Sequence, residues 1–169
     1  LASAERPALV IGSQSLVNVR DAAPLADAVQ ALGVPTWLGG TARGLLGRRS
    51  DLQFRHKRSA ALKEADLVIV AGFPFDFRLG YGRSISSRAT LVAANLSRSE
   101  MRKNRHPEIA VHMHPGEFIE ELARTAGGGL GPWSDWFETL RSREQARDEE
   151  IAQQAGSTSE LVNPLQLFQ

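Results

Sequence analysis

A chain of 169 residues, 42% hydrophobic and 23% charged, has the size and composition of one globular domain; disordered, fibrous and membrane-spanning classes are excluded, since no apolar run approaches the roughly 20 residues that cross a bilayer and residues 1–12 lack a signal-peptide stretch. A net charge of +1 gives no general attraction for nucleic acid. With no cysteine, disulfides, thiolate nucleophiles and cysteine-bound zinc are ruled out, which fits a reducing, cytoplasmic setting.

The apolar run 8–11, bounded by Pro7 and Gly12, reads as a buried strand feeding a glycine turn. Leu25, Ala28, Val29 and Leu32 recur at helical spacing, with Asp21 placed to cap and Gly33 to stop the helix. A second strand is expected over 34–38, closed by Gly39 and Gly40 and followed over 42–47 by a loop with one helical turn. Residues 59–65 read as a helix that hands over at Asp66 to the best strand, 67–71. A continuous apolar run ending at a glycine is what a strand covered on both faces looks like, which favours a parallel sheet. Residues 91–94 and 109–111 repeat that pattern, with helices expected between them. Pro115 opens an amphipathic helix carrying Phe118, Ile119, Leu122 and Ala123 and ending at Gly127.

Alternating strands and helices with short links give an open, doubly wound, mostly parallel α/β sheet of the Rossmann-like kind. The expected core is 1–127. After the glycine-rich break 127–132, Trp133, Trp136, Phe137 and Leu140 lead into a polar helix reaching about Gln154, packed through its tryptophans. Residues 156–160 have linker composition, and Asn163-Pro164 opens a new helix through Leu165, Leu167 and Phe168. That apolar helical start at the end of the chain suggests a piece of a longer protein.

In such a sheet a ligand lies beyond the carboxyl ends of the strands, where strand order reverses. The loops there begin Gly12-Ser13-Gln14, Gly39-Gly40-Thr41, Gly72-Phe73-Pro74 and Asn95-Leu96-Ser97. Glycine lets backbone pass close to a phosphate, and amides at a helix start donate to it. Gly12, Ser13, Gln14 and Gly72 are therefore either phosphate contacts or parts of tight turns. Neither the GxGxxG fingerprint nor a phosphate-loop lysine motif occurs. In Phe75-Asp76-Phe77-Arg78, Asp76 and Arg78 either pair with each other or leave Arg78 to fix a phosphate through its planar fork. Asn95 either meets a ribose hydroxyl, as an acid does in dinucleotide folds, or turns the chain. The basic run Arg43, Arg48, Arg49, Arg55, Lys57 and Arg58 is a solvated face or a phosphate site. The acidic stretch Glu144, Asp148, Glu149 and Glu150 lies near the other end.

Catalytic and metal readings are poorer. His112 and His114 would share one face of a strand, with His106 nearby, but no further ligand pair accompanies them. Ser13 lacks the second glycine of G-x-S-x-G, which removes a hydrolase elbow. Glu117, Glu120 and Glu121 read as the wet face of a helix rather than an acid and base. No catalytic residue is assigned.

The order of segments resembles the central domain of thiamine-diphosphate-dependent enzymes, in the acetolactate synthase-like and 2-hydroxyacyl-CoA lyase-like branch. The resemblance runs from about Arg6 to Ala123. It rests on Arg6-Pro7-Ala8-Leu9-Val10-Ile11-Gly12-Ser13-Gln14, Leu32-Gly33-Val34-Pro35, the stretch from Gly39 to Gly47, Ala65-Asp66-Leu67-Val68-Ile69-Val70-Ala71-Gly72, and the Asp76/Arg78 segment. The part from Trp133 to Gln154 resembles the family's connecting helix, and Asn163-Pro164-Leu165 the start of its pyrophosphate-binding domain, so 128–169 is expected to link onward. The resemblance implies six parallel strands, flanking domains that hold thiamine diphosphate and Mg, and a homo-oligomeric parent that is a transferase or lyase. It also implies FAD or ADP in this domain, at Gly12, Ser13, Gln14, Gly72, Asp76, Arg78 and Asn95. Two departures point away from FAD: Arg55-His56-Lys57-Arg58-Ser59 replaces the Gly-Met-His-Gly-type stretch, and Asn95 replaces an aspartate. The competing readings are a spacer without ligand, which would leave Trp133, Trp136 and Phe168 poorly covered, and a free-standing Rossmann oxidoreductase.

Overall fold

The computed structural model describes residues 1–127, 131, 133–156 and 163–167. Five strands, β1 Pro7–Ile11, β2 Thr36–Leu38, β3 Leu67–Ala71, β4 Thr90–Ala94 and β5 Ile109–Val111, form one sheet in the order β2-β1-β3-β4-β5. Every pairing is parallel. β1 and β3 are buried at every residue, and because successive side chains alternate faces, both sheet faces are covered. This is why their sequences are unbroken apolar runs.

The expected six strands are corrected to five among the described residues. Beyond the five strands, the described residues add an isolated parallel bridge between Thr36 of β2 and Gln53. Thr36 N donates to Leu52 O at 2.7 Å and Phe54 N to Thr36 O at 2.9 Å. The approach to this bridge, Gly47-Arg48-Arg49-Ser50-Asp51, is charged and turn-forming, so it has no apolar face to bury and pairing stops after one rung.

The helices are α1 Ala23–Leu32, α2 Arg58–Glu64, α3 Arg98–Arg102, α4 Pro115–Ala126, α5 Ser134–Ala155 and α6 Pro164–Leu167. Gly33 and Gly127 close α1 and α4 in the left-handed region at φ 63° and 70°, as a glycine C-cap should. Asp21 accepts from Ala23 N at 2.9 Å. The chain between β3 and β4 contains no α-helix, only the 3-10 turns of Phe77–Gly82; with glycines at 80 and 82 and Tyr81 at φ 55°, a regular helix cannot propagate there.

α5 packs through its tryptophans, as expected. Trp133 and Trp136 are buried, and their indole nitrogens donate to Ala4 O at 2.7 Å and Pro7 O at 3.0 Å. This overturns the exposed-tryptophan signature of the spacer reading; Phe168 lies outside the described residues. Further along α5, Glu144 accepts from Arg55 N and His56 N, each at 2.9 Å, and Asp148 contacts Arg55 and His56. Part of the basic run thus faces the acidic stretch.

Candidate functional site

Sheet order turns at β1, with β2 on one side and β3 on the other. The carboxyl ends of β1 and β3 are therefore the switch point at which open α/β sheets hold ligands. Gly12 and Gly72 meet there. Gly12 N donates to Ala71 O at 2.8 Å, and a Cβ on Gly12 would stand 2.3 Å from Gly72 O. Gly72 is at φ 66°, and a Cβ on it would stand 2.8 Å from Ser15 N. No side chain fits at either position.

Two 3-10 turns, Ser13–Leu16 and Gly40–Gly44, rise from the ends of β1 and β2. They are joined where Thr41 N donates to Ser13 Oγ at 3.2 Å. Gly40, at φ 60°, approaches so closely that a Cβ would lie 2.0 Å from that oxygen. Gln14 Oε1 accepts from Leu96 N at 3.0 Å, which ties the first loop to the one after β4. The structure therefore brings Gly12, Ser13, Gln14 and Gly72 together on one rim, with Asn95 beside them. Asn95 is buried, and its Oδ1 accepts from Ser97 N at 2.8 Å, the geometry of a turn-forming asparagine.

Asp76 and Arg78 take the paired alternative. The Arg78 guanidinium donates to both Asp76 oxygens through Nε and Nη2, at 2.6–3.1 Å, and its amide adds a bond at 2.9 Å. The side-chain bonds from Arg78 hold the Asp76 carboxyl below its ordinary range, and Asp76 in turn holds the Arg78 guanidinium above its own. The pair is a neighbour of the glycine rim rather than a contact of it.

Residues the sequence did not single out knit this rim together. Ser15 is fully buried and donates to Ala71 O at 3.2 Å. The Phe73 ring lies across the ends of β2 and β3: a Cβ on Gly39 would be 2.2 Å from its edge, and the guanidiniums of Arg58 and Arg78 stand 5.3 and 5.4 Å from its centre, within cation-π range. Arg58 also donates to Arg78 O. Burial, reinforced by Arg43, lowers the Arg58 pKa from its ordinary value. The sequence signal for this cluster is small: an aromatic residue directly after Gly72, opposite a glycine pair.

Beside the carboxyl end of β2 opens a cleft of about 720 Å³, lined by Leu38, Arg43, Lys57 and Arg58 among others. Its size suits a small ligand. Arg43 makes no ion pair among the described residues, and Lys57 stands near enough to Glu150 to help lower the pKa of that carboxyl, after the hydrogen bond from Arg147. The histidines take structural roles: His114 caps α4 by accepting from Glu117 N and meets Val17 O at 3.0 Å, while His112 meets Leu96 O and Arg98. Among the described residues, no three His, Asp or Glu side chains are placed to hold a metal ion, and no helix is long and apolar enough to cross a membrane.

Comparison with known proteins agrees with this geometry. The family described as "Thiamine pyrophosphate enzyme, central domain" matches residues 1–122. The chain is 40% identical over 175 residues to 2-hydroxyacyl-CoA lyase 2 of Homo sapiens, covering 100% of this chain and 27% of the relative. It is 42% identical over 154 residues to the protein of that name from Mus musculus, covering 88% and 24%. It is 33% identical over 154 residues to a probable acetolactate synthase of Mycobacterium bovis, covering 90% and 27%. The chain thus spans about a quarter of the length of these curated relatives. With a parallel sheet, a glycine-lined switch point and a family match over most of its length, the chain belongs to the thiamine pyrophosphate enzyme family, as its central domain.

Proposed function

We propose that residues 1–127 form the nucleotide-holding middle of a thiamine-diphosphate-dependent transferase or lyase acting on 2-oxo acids or 2-hydroxyacyl-CoA. Residues 128–169 then supply the connecting helix and linker and open the pyrophosphate-binding domain. In this reading the parent is a cytoplasmic homo-oligomer. Thiamine diphosphate, which supplies carbanion stabilisation when bound, is held with its Mg by flanking domains, since the described residues offer no metal cluster and the sequence has no Gly-Asp-Gly stretch. This chain does no bond-making chemistry of its own.

The observation that carries the nucleotide reading is the contact of Gly12 with Gly72 at the strand-order reversal. That packing keeps side chains off the point where open α/β sheets hold ligands. The amides of Ser13 and Gly40, at the starts of their turns, have no acceptor among the described residues, and the cleft beside β2 offers Arg43 and Lys57 to a diphosphate. ADP suits the site better than FAD, because Arg55-His56-Lys57-Arg58-Ser59 stands in place of the Gly-Met-His-Gly-type stretch and Asn95 in place of an aspartate. Titration calorimetry with each ligand tests this. ADP is expected to bind the chain more tightly than about 1 mM, roughly 4 kcal/mol, with FAD weaker and Arg43→Gln weakening ADP. If neither ligand binds, the nucleotide reading fails.

One observation favours the spacer reading as the second choice. Gln14, Asp76 and Asn95 are all committed to protein partners, so the rim is largely satisfied without a ligand. A spacer would show no saturable uptake of either nucleotide.

A further inference from the structure

The opposite rim of the sheet carries a second cleft, of about 720 Å³, next to the amino-terminal ends of β1 and β3. Five cations line it: Arg6, Lys63, Arg83, Arg88 and Arg105. Only two carboxylates do, Glu64 and Asp66, and both are occupied. Glu64 accepts from Arg143 at 2.9 Å, and Asp66 accepts from the amides of Glu5 and Arg6 at 2.7 and 2.9 Å. By contrast, the side chains of Arg6, Lys63, Arg83 and Arg88 make no ion pair or hydrogen bond among the described residues, and all four are exposed.

Arg105 is half-committed. One terminal nitrogen donates to Ser86 O at 3.1 Å, while its Nε is buried without an acceptor. The arginines are held near one another by the backbone rather than by acids. Gly82, at φ 80°, passes so close to Arg105 that a Cβ would lie 2.6 Å from its stem, and Ser86 Oγ accepts from Arg88 N at 3.2 Å. Ser86 N in turn donates to Leu62 O, next to Lys63. Five cations set against Glu64, already paired with Arg143, and the single carboxylate of Asp66 leave a surplus of positive charge in a concave site, which repels itself unless an anion enters.

We propose that this amino-terminal cleft is an anion site for a ligand bearing two adjacent phosphoryl groups. The planar forks of Arg83, Arg88 and Arg6 can each give two parallel bonds to phosphoryl oxygens, and it is the number of cations around one cleft that calls for a charge of two or more, beyond that of a lone carboxylate. The site is separate from the carboxyl rim and does not rest on the nucleotide reading.

Titration calorimetry of inorganic pyrophosphate into the full chain at low salt tests the assignment, with ADP as a second arm to distinguish a free diphosphate from a nucleotide source. Pyrophosphate is expected to bind at one site and to weaken steeply as salt is raised. The Arg83→Gln/Arg88→Gln double variant, on the surface and with an unchanged melting temperature, is expected to lose at least 10-fold in affinity. Arg43→Gln, on the other rim, is expected to leave pyrophosphate binding unchanged. The proposal is overturned by absence of binding at low salt, by unchanged affinity in the double variant, or by loss in Arg43→Gln instead. Failure of ADP at the carboxyl rim with pyrophosphate binding intact would reject the nucleotide reading alone.

Discussion

At the residue scale, two glycines with positive or near-extended backbone separate two reasons for having no side chain. Gly33 is left-handed at φ 63° but faces open space, so a methyl group there meets only the backbone penalty, about 1 kcal/mol. Gly12 has an ordinary φ of −115°, yet its absent Cβ would be driven into the Gly72 peptide. Because that neighbour is backbone at the centre of the sheet, Gly12→Ala is expected to cost about 3 kcal/mol against about 1 for Gly33→Ala, as read by urea unfolding. Equal losses would show that the β1–β3 contact is looser than described. Asp76 adds a pH prediction. Its folded pKa is depressed by Arg78, so the pair's contribution is present above the ordinary carboxyl range and is lost as pH falls through the folded value. The wild type should therefore lose stability relative to Asp76→Asn below about pH 4. The pair is partly exposed, so the effect is no more than about 1 kcal/mol. Parallel pH profiles for the two proteins would contradict it.

At the element scale, the strands and the capped helices were legible because their signals are local. An apolar run of five with a terminal glycine gave β3, and Gly33 and Gly127 marked helix ends that are left-handed in the structure. What escaped was set by distant contact. The sequence assigned His114 no role, whereas its ring caps α4 and reaches Val17, 97 residues away. The absence of a helix before β4 follows from Gly80 and Gly82, breakers visible in the sequence, together with Tyr81 adopting a left-handed backbone, which no residue propensity announces. Ser15 and Phe73 matter only because β1 and β3 lie side by side. The same long-range logic assigns α5 its role as a clamp on the start of β1. Trp136→Phe keeps an aromatic ring but removes the donor to Pro7 O and part of the buried indole volume, and is expected to cost at least about 1–2 kcal/mol in denaturant unfolding. A neutral result would mean that neither this hydrogen bond nor the full indole is needed to hold α5 in place.

At the scale of the whole molecule, the two edges of the sheet differ, and that difference fixes how the fold opens. β2 and β5 are both three residues long and both lie outermost among the five strands. β2 is nonetheless protected on its outer side, where Thr36 bonds to Leu52 and Phe54 and Trp37 stacks near Phe54 at 5.5 Å, itself 6.0 Å from Phe137 of α5. β5 pairs only with β4 and leaves Ile109 52% exposed. Local opening free energy follows buried apolar contact and hydrogen bonding, so native-state hydrogen exchange should rank β1 and β3 slowest, β2 next and β5 fastest. The Thr36–Gln53 bridge and its flanking bonds explain why β2 ranks above β5, and Gln53→Pro makes the explanation testable. A proline at 53 disturbs the bridging segment without touching β2 itself, so it should bring the Thr36 amide toward the exchange rate of β5 while β3 stays unchanged. If Thr36 remains slow in that variant, the protection comes from the aromatic stack, and the Thr36–Gln53 bridge contributes nothing to the order in which the sheet opens.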